Sequence, residues 1–178
     1  MTNKILFTKV RNVKSPQQAY NYPAGTDIFI PEYSVSFRDD LIAKNSNNCD
    51  YELSVSPNLE SMTITLAPHG RINIPSGIKV DMSDKNSCLL VANKSGVASK
   101  KGLNHLAELI DADYHGELHI NLYNTSTEPV KICTGDKITQ LMNIPIIYPS
   151  WQEVSDEYFN SNVEKTSRDC SGFGSSGS

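Results

Sequence analysis

Apolar and polar residues alternate with a period of two in many short stretches of the chain, and turn-forming residues end most of these stretches. This alternation predicts strands with one buried face. Helical periodicity is almost absent; the best candidate, 97–109, equally fits a loop plus a hairpin. The predicted strands are 4–13, 62–66, 72–80, 88–92, 117–123, 129–133 and 137–147. Many short, closely spaced strands favour an all-β antiparallel barrel or sandwich over a parallel fold with helical crossovers.

Two polar segments interrupt the strand pattern. Residues 33–61 are rich in asparagine, aspartate and serine, which predicts a surface excursion with room for a hairpin of its own. Residues 151–178 run from a tryptophan and an acidic stretch to a glycine- and serine-rich end, which predicts a flexible C-terminal arm. We therefore expect one β domain over 1–150, with 33–61 as a surface insertion, and an arm over 151–178.

Composition narrows the possible functions. The net charge of −4 over 178 residues argues against direct nucleic-acid binding, but a small polyphosphate needs only a few cations and N–H donors. No apolar run approaches the roughly 20 residues of a membrane span, and the first 14 residues lack the apolar core of a signal peptide. We expect a cytoplasmic protein without membrane contact, in the host cytoplasm if a virus encodes it. The four widely spaced cysteines predict reduced thiols.

The C-terminal run from Arg168 to Gly177 has two interpretations. Composition alone favours a disordered linker or tail. Alternatively, its glycines leave N–H groups free to wrap phosphate oxygens, with Arg168 as a phosphate fork and Phe173 stacking on a base. An aromatic residue inside a glycine run is unusual for a linker. It favours a functional role only together with other motifs.

The run Lys94-Ser95-Gly96 directly follows a buried-looking strand. A strand that ends in this way presents a cation, a hydroxyl and a bare N–H group to one phosphate. An ordinary polar turn is the alternative. The run is not a G-x-x-x-x-G-K-[ST] loop, whose first glycine and spacing are missing.

Residues 109–118 carry the most informative acidic pair. On extended backbone, Asp111 and Asp113 share a face, so that one can orient a water while the other fixes a turn. A hairpin corner with solvent-facing carboxylates is the alternative, and an irregular turn decides the direction of Tyr114. His115 and His119 would lie about 13 Å apart along a strand, which argues against a zinc site.

Five strings in chain order, 24–27, 94–98, 110–116, 135–141 and 168–177, resemble the five motifs of the trimeric dUTPase family. The third and fifth are specific, and the resemblance spans 24–177. It implies a jelly-roll-like β-barrel and a homotrimer with shared active sites, each arm closing over a neighbour. It also implies a dUTP diphosphatase that uses Mg²⁺ and an Asp-activated water to attack the α-phosphate. The products, dUMP and pyrophosphate, would limit uracil in DNA and supply dTMP synthesis.

The resemblance assigns roles to individual residues. Asp111 would activate the water, and Asp27 would contact the magnesium through water. Tyr114 would pack on the deoxyribose, Phe173 would cover the uracil, and a hairpin at 102–110 would read the base. The implied substrate-binding residues are Lys94, Ser95, Gly96, Asn104, Leu109, Tyr114, Gln140, Arg168, Phe173, Gly174, Ser175 and Ser176.

The sequence departs from the family pattern at three places. Lys94 replaces an arginine, Glu108 replaces a glycine, and 102–111 is about two residues short. Two alternatives follow: a dUTPase-like scaffold that binds a regulatory protein through 33–61, and a dCTP deaminase. Against the deaminase, the chain has Ile-Asp-Ala-Asp-Tyr at 110–114, and Asn121 stands where that family has its catalytic glutamate.

Overall fold

The computed structural model describes residues 4–166, most of which form or connect β-strands. In this range the strands are β1 (Ile5–Lys9), β2 (Thr26–Phe29), β3 (Tyr51–Val55), β4 (Met62–Leu66), β5 (Arg71–Pro75), β6 (Ile78–Met82), β7 (Ser87–Asn93), β8 (Leu103–His105), β9 (Leu109–Ile110), β10 (His119–Asn124), β11 (Val130–Cys133) and β12 (Lys137–Pro145). The helices in the same range are α1 (Val35–Lys44), α2 (Ser95–Lys101) and α3 (Asp156–Asn162). Among these helices, each is too short to span a bilayer.

The strands pair antiparallel in small open sheets of two to four strands. Their orders are β1-β6, β5-β10-β8, β11-β4-β3 and β2-β12-β7-β9. This arrangement confirms the expected all-β, jelly-roll-like fold, although the sheets remain open and do not close into one barrel. The predicted strand at 72–80 is two strands, because the turn at Pro75-Ser76-Gly77 sends β5 and β6 to different sheets.

Alternating side chains build the core. In β4, Met62, Ile64 and Leu66 are buried while the threonines between them are half-buried. These residues pack with buried residues of β5, β10 and β11 in one apolar cluster. A second cluster lies under β6 and β7 and includes Val80, Leu89 and Leu118. The two-residue period that predicted the strands is therefore the period of burial.

The prediction that 33–61 is a surface excursion was wrong for much of the segment, which forms a helix and a strand that pack on the fold. Helix α1 begins where the Ser34 hydroxyl accepts a hydrogen bond from the Phe37 N–H at 3.1 Å. Phe37 and Leu41 are completely buried in the first core cluster. Strand β3 pairs with β4, which lies outside the segment, so 33–61 does not form a hairpin of its own. Whether 33–61 is an insertion relative to other family members stays a prediction.

The region at 97–109 also differs from its predictions. Only α2 is helical, and β8 and β9 do not pair with each other as a hairpin: β8 pairs with β10, and β9 pairs with β7. The segment 103–110 therefore connects two sheets.

The chain divides into two compact units, 1–147 and 148–178. In the described part of the second unit, the Ser155 hydroxyl accepts a hydrogen bond from the Tyr158 N–H at 3.1 Å. Asp156 and Glu157 in the first turn suit the positive end of the α3 dipole. The prediction that this arm closes over a neighbouring subunit stays a prediction.

Candidate active site

Three of the five strings meet at one end of the β2-β12-β7 sheet. Asp27 of β2 lies opposite Gln140 of β12, and Gln140 lies opposite Ala92 of β7. Lys94 follows directly after β7. The antiparallel register thus gathers residues that are more than 110 positions apart in sequence. We call Asp27, Lys94, Lys137, Gln140 and Asn93 the Asp27 cluster.

The Asp27 carboxylate is buried and doubly paired. The residue is 3% exposed, and its two oxygens accept hydrogen bonds from Lys94 Nζ and from Lys137 Nζ, the latter at 3.0 Å. Burial raises the pKa of Asp27, but the two lysines outweigh burial and hold that pKa below its ordinary value. Asp27 is therefore a fixed negative charge that holds two cations in place.

Gln140 is oriented by the end of β7. Its Nε2 donates to the Asn93 carbonyl at 2.9 Å. A β-carbon at Gly25 would lie 2.6 Å from Gln140 Oε1, so a larger residue at position 25 would displace this amide from its present position. The Asn93 side chain donates to Asn104 Oδ1 at 2.9 Å, which brings Asn104 to the same end of the sheet.

Helix α2 presents its first residues to solvent beside this cluster. Lys94 precedes the helix without a side-chain capping bond, and Ser95 and Gly96 are exposed. The first N–H groups of a helix have no intrahelical acceptor. No atom lies within 4 Å of a β-carbon built at Gly96, so packing within the described chain does not require glycine there.

Asp111 lies in a different environment from Asp27. It follows β9 in a turn where the Tyr114 N–H donates to the Asp111 carbonyl at 3.1 Å. Of the two interpretations of the acidic pair, this turn favours solvent-facing carboxylates over a shared face on extended backbone. Its carboxylate is exposed and makes no hydrogen bond or ion pair with residues 4–166. Burial, and then the negative charge of Asp111, raise the pKa of the Cys88 thiol.

The direction of Tyr114 is set by the same turn. Its hydroxyl donates to the Glu117 carbonyl at 3.0 Å, while 43% of the residue stays exposed. A β-carbon at Gly116 would overlap the Tyr114 hydroxyl, so the ring folds back over position 116 only because a glycine is there.

Within a single subunit, Asp111 does not lie next to the Asp27 cluster. Ile110 pairs with Leu89 near the start of β7, whereas Lys94 follows the end of that strand. The six positions from Cys88 to Lys94 correspond to about 20 Å along a strand. The Asp111 carboxylate and the Asp27 cluster thus lie at opposite ends of β7.

The remaining predicted site residues divide into two groups. Leu109 is 66% exposed in β9, on the side of the molecule that carries Asp111. Arg168, Phe173, Gly174, Ser175 and Ser176 lie outside the described residues. Sequence reasoning assigned no role to Lys137 or Asn93. The position of Lys137 within the fourth string was the available signal for it, whereas the role of Asn93 depends on strand register.

The described residues offer no ready-made metal cage. No group of three or more histidine, cysteine, aspartate or glutamate residues converges within 4–166. Both Asp27 oxygens are already paired with lysines. These residues fit a magnesium ion that arrives with its own phosphate ligands and waters, and they do not fit an ion held by protein carboxylates alone.

A model of the dUTPase family matches residues 42–177. The chain belongs to the dUTPase family. The deoxyuridine 5'-triphosphate nucleotidohydrolase of Actinobacillus pleuropneumoniae is 36% identical to it over 121 residues, 67% of this chain and 76% of the relative. The corresponding protein of Haemophilus ducreyi is 38% identical over 116 residues, 64% of this chain and 72% of the relative. The family predicted from the sequence is thereby confirmed, and the matched residues include four of the five strings.

Solved dUTPase structures share the fold. A mutant dUTPase of Staphylococcus bacteriophage 80alpha with dUpNHpp superposes with a TM-score of 0.70 at 23% identity, covering 99% of this chain and 100% of that one. A mutant dUTPase from phage phi11 of S. aureus, described with a structural Mg(II) ion, gives a TM-score of 0.61 at 22% identity. It covers 86% of this chain and 98% of that one.

Proposed function

We propose that this chain hydrolyses dUTP to dUMP and pyrophosphate with magnesium, acting as a dUTP diphosphatase. The single observation that carries the proposal is the contrast between two aspartates placed in family motifs. Asp111 is exposed and has no partner among residues 4–166, whereas Asp27 is buried between two lysines. The first suits a base and the second suits the organisation of a phosphate site.

Asp111 is the proposed general base. A base must reach the proton that it abstracts, and an exposed carboxylate without competing donors can accept that proton from a bound water. The water then attacks the α-phosphate in line with the departing pyrophosphate. Tyr114 lies three residues further along the same turn, where its ring would pack on the deoxyribose and exclude a 2′-hydroxyl.

The Asp27 cluster and the start of α2 are the proposed phosphate site. Lys94 and Lys137 bring positive charge, Ser95 a hydroxyl, Gly96 an N–H group without a side chain in the way, and Gln140 an amide already oriented by Asn93. Preorganised donors of this kind stabilise phosphate charge without rearrangement at the moment of reaction. Arg168 and residues 173–176 are proposed to close on the γ-phosphate and the uracil.

Magnesium would be held mainly by the triphosphate, with Asp27 contacting its waters. When bound, the ion neutralises phosphate charge and favours the departure of pyrophosphate. Because both Asp27 oxygens pair with lysines, this residue would also hold Lys94 and Lys137 at the phosphates. The base would be read by main-chain groups of 102–110, with Asn104 fixed by Asn93.

Sites shared between subunits are consistent with the same geometry, and we propose that the assembly is a homotrimer. Asp111 and the Asp27 cluster lie at opposite ends of β7 in one subunit. If Asp111 acts on a triphosphate bound at the Asp27 cluster, the two must therefore come from different subunits. Closed rotational symmetry lets each copy give one half of a site to its neighbour. A third copy would then supply the arm.

The proposal is tested by following pyrophosphate release from dUTP, dCTP, dTTP and UTP with magnesium. We expect rapid release from dUTP alone. Ammonia release from dCTP would instead identify a deaminase, and dUTP binding without turnover would favour the scaffold alternative. A regulatory partner at 33–61 and a cytoplasmic location stay predictions of the sequence.

Shared sites are tested by complementation between two inactive variants, Asp111→Asn and Lys94→Ala. Each alone lacks one half of every site. If neighbours share sites, random mixed trimers formed by co-expression should recover about a quarter of wild-type sites. An intact site needs a subunit with Asp111 on one side and a subunit with Lys94 on the other, and each is present with a probability of about one half. Mixtures as inactive as their parents, or a monomeric mass in solution, would contradict the shared site.

A further inference from the structure

Arg11 lies outside all five motifs, yet its guanidinium joins distant parts of the chain. Its Nε donates to Glu117 Oε1 at 2.7 Å, and its Nη2 donates to Glu117 Oε2 at 2.9 Å. The same Nη2 donates to Asp40 Oδ2 of α1 at 2.7 Å. The two parallel bonds to Glu117 form a bidentate arginine–carboxylate pair, which adds geometric specificity to charge.

This pair is shielded from solvent on both sides. The side chains of Arg11 and Glu117 are 13% and 15% exposed, whereas that of Asp40 is 54% exposed. The Arg11 guanidinium also lies over the ring of the buried Phe37, 5.9 Å from its centroid. Surface ion pairs contribute little, but a bidentate pair under partial cover holds its partners in one geometry.

Glu117 is further fixed from a third direction. The Gly77 N–H donates to Glu117 Oε1 at 2.7 Å. Burial raises the pKa of Glu117, but the bonds from Arg11 and the Gly77 N–H outweigh burial and hold that pKa below its ordinary value. The carboxylate is therefore ionised at neutral pH. Both of its oxygens are therefore committed to fixed donors.

The backbone of Glu117 in turn holds the proposed catalytic turn. Its carbonyl accepts the Tyr114 hydroxyl bond at 3.0 Å, and Gly116 lies directly under the Tyr114 ring. The Tyr114 N–H closes the turn on the Asp111 carbonyl at 3.1 Å. A chain of contacts thus runs from Arg11 through Glu117 and Tyr114 to Asp111.

We propose that Arg11 and Glu117 are positioning residues for the dUTPase reaction, and that Asp40 ties α1 of segment 33–61 to the same pair. The inference rests on the proposed function. The pair holds the turn that carries Asp111 and Tyr114. The carboxylate that would activate the water and the ring that would pack on the deoxyribose therefore keep a fixed relative position. Small displacements of reacting groups are costly to rate, because catalysis depends on near-attack geometry.

The test compares Arg11→Met and Glu117→Gln with Arg11→Lys, Asp40→Asn and the control Arg38→Met. Arg38 pairs with Asp39 on the exposed side of α1 and does not contact Glu117. For each variant, kcat and KM for dUTP and the ratio of kcat/KM for dUTP over UTP are measured. The temperature is chosen so that circular dichroism shows every variant fully folded.

We expect Arg11→Met and Glu117→Gln to lower kcat by about tenfold or more and to reduce the preference for dUTP over UTP. Arg11→Lys keeps the charge without the fork, so its loss should be intermediate. Asp40→Asn should lose about twofold because its bond is exposed, and Arg38→Met should match wild type.

Unchanged kcat, KM and substrate preference in folded Arg11→Met and Glu117→Gln would overturn the positioning role and leave only a structural one. If Arg11→Met does not fold, Glu117→Gln decides, since its amide keeps the shape of the carboxylate and an acceptor for Gly77. A wild-type chain without turnover would instead refute the proposed function, and the positioning role with it. The two failures are therefore distinguishable.

Discussion

The two aspartates of the candidate site show how burial and pairing divide chemical roles between identical side chains. Asp27 is 3% exposed and bonded to two lysines, while Asp111 is exposed and has no partner in the described range 4–166. Each stands beside a short apolar run, which follows Asp27 at 28–30 and precedes Asp111 at 109–110, so local sequence does not show which carboxylate is buried. At one end of β7 the strand register gathers two lysines around Asp27, whereas at the other end the pairing of β7 with β9 places no donor beside the Asp111 carboxylate.

The comparison teaches that stability and reactivity lie at separate places in this chain. A carboxylate that holds two cations is a weaker proton acceptor, because the lysines hold its pKa below the ordinary value. A carboxylate with no protein donors contributes little to folding and is available for chemistry. A substitution at Asp27 should therefore destabilise the fold more than a substitution at Asp111.

The largest effect is expected for Asp111→Asn. Loss of a general base lowers turnover by about 10²–10⁴-fold, while the free energy of unfolding should change by less than about 0.5 kcal/mol because the side chain is exposed. Pyrophosphate release and urea unfolding measure the two quantities. An asparagine variant that is active but unstable would reverse the assignment.

Asp27→Asn should lower stability as well as activity. Removing the charge leaves Lys94 and Lys137 close together without their partner, which destabilises the fold by about 2 kcal/mol, since both lysines keep some solvent. Urea unfolding is compared with that of Asp81→Asn, whose carboxylate is 51% exposed in its pairs with Lys85 and His115. Equal effects at the two positions would show that burial does not distinguish them.

Two glycine-to-alanine substitutions sharpen the same contrast on a smaller scale. Gly25→Ala pushes against the Gln140 amide and should destabilise the chain by about 1 kcal/mol or more. Gly96→Ala meets open space and should leave stability equal or higher, while a weaker affinity for dUTP would reveal close approach of a phosphate. Thermal unfolding and binding titrations test the pair. A large stability loss in Gly96→Ala would contradict the open site.

The smallest effect is the pH dependence of the Asp27 contribution. Its pKa in the folded chain lies below the ordinary 3.8. The stabilisation is therefore fully present above that value and is lost as the pH falls through the folded pKa. The difference in unfolding free energy between wild type and Asp27→Asn should be constant near neutrality and should shrink below pH 3.8. A difference that grows in acid would be inconsistent with this sign.

Several features of the fold were readable from local patterns. The alternation over 62–66 matches β4, because burial on one face of a strand leaves a two-residue period in the sequence. The continuous apolar run at 88–92 matches most of β7, which is buried along most of its length. Helix α1 was missed because only Phe37 and Leu41 face the core, among aspartates and asparagines that suggest a loop. The expected hairpin at 102–110 was wrong because its two halves pair with different sheets.

The sequence by itself determined the family and which residues carry the motif chemistry, because each motif is a short run of consecutive residues. Only the tertiary structure decided that Lys94 and Lys137 share Asp27, that Asn93 orients Gln140, and that Arg11 grips Glu117 across 106 positions. It also separated Asp111 from the Asp27 cluster by the length of β7. Such contacts depend on strand register and packing, which join distant residues and leave no local period in the sequence.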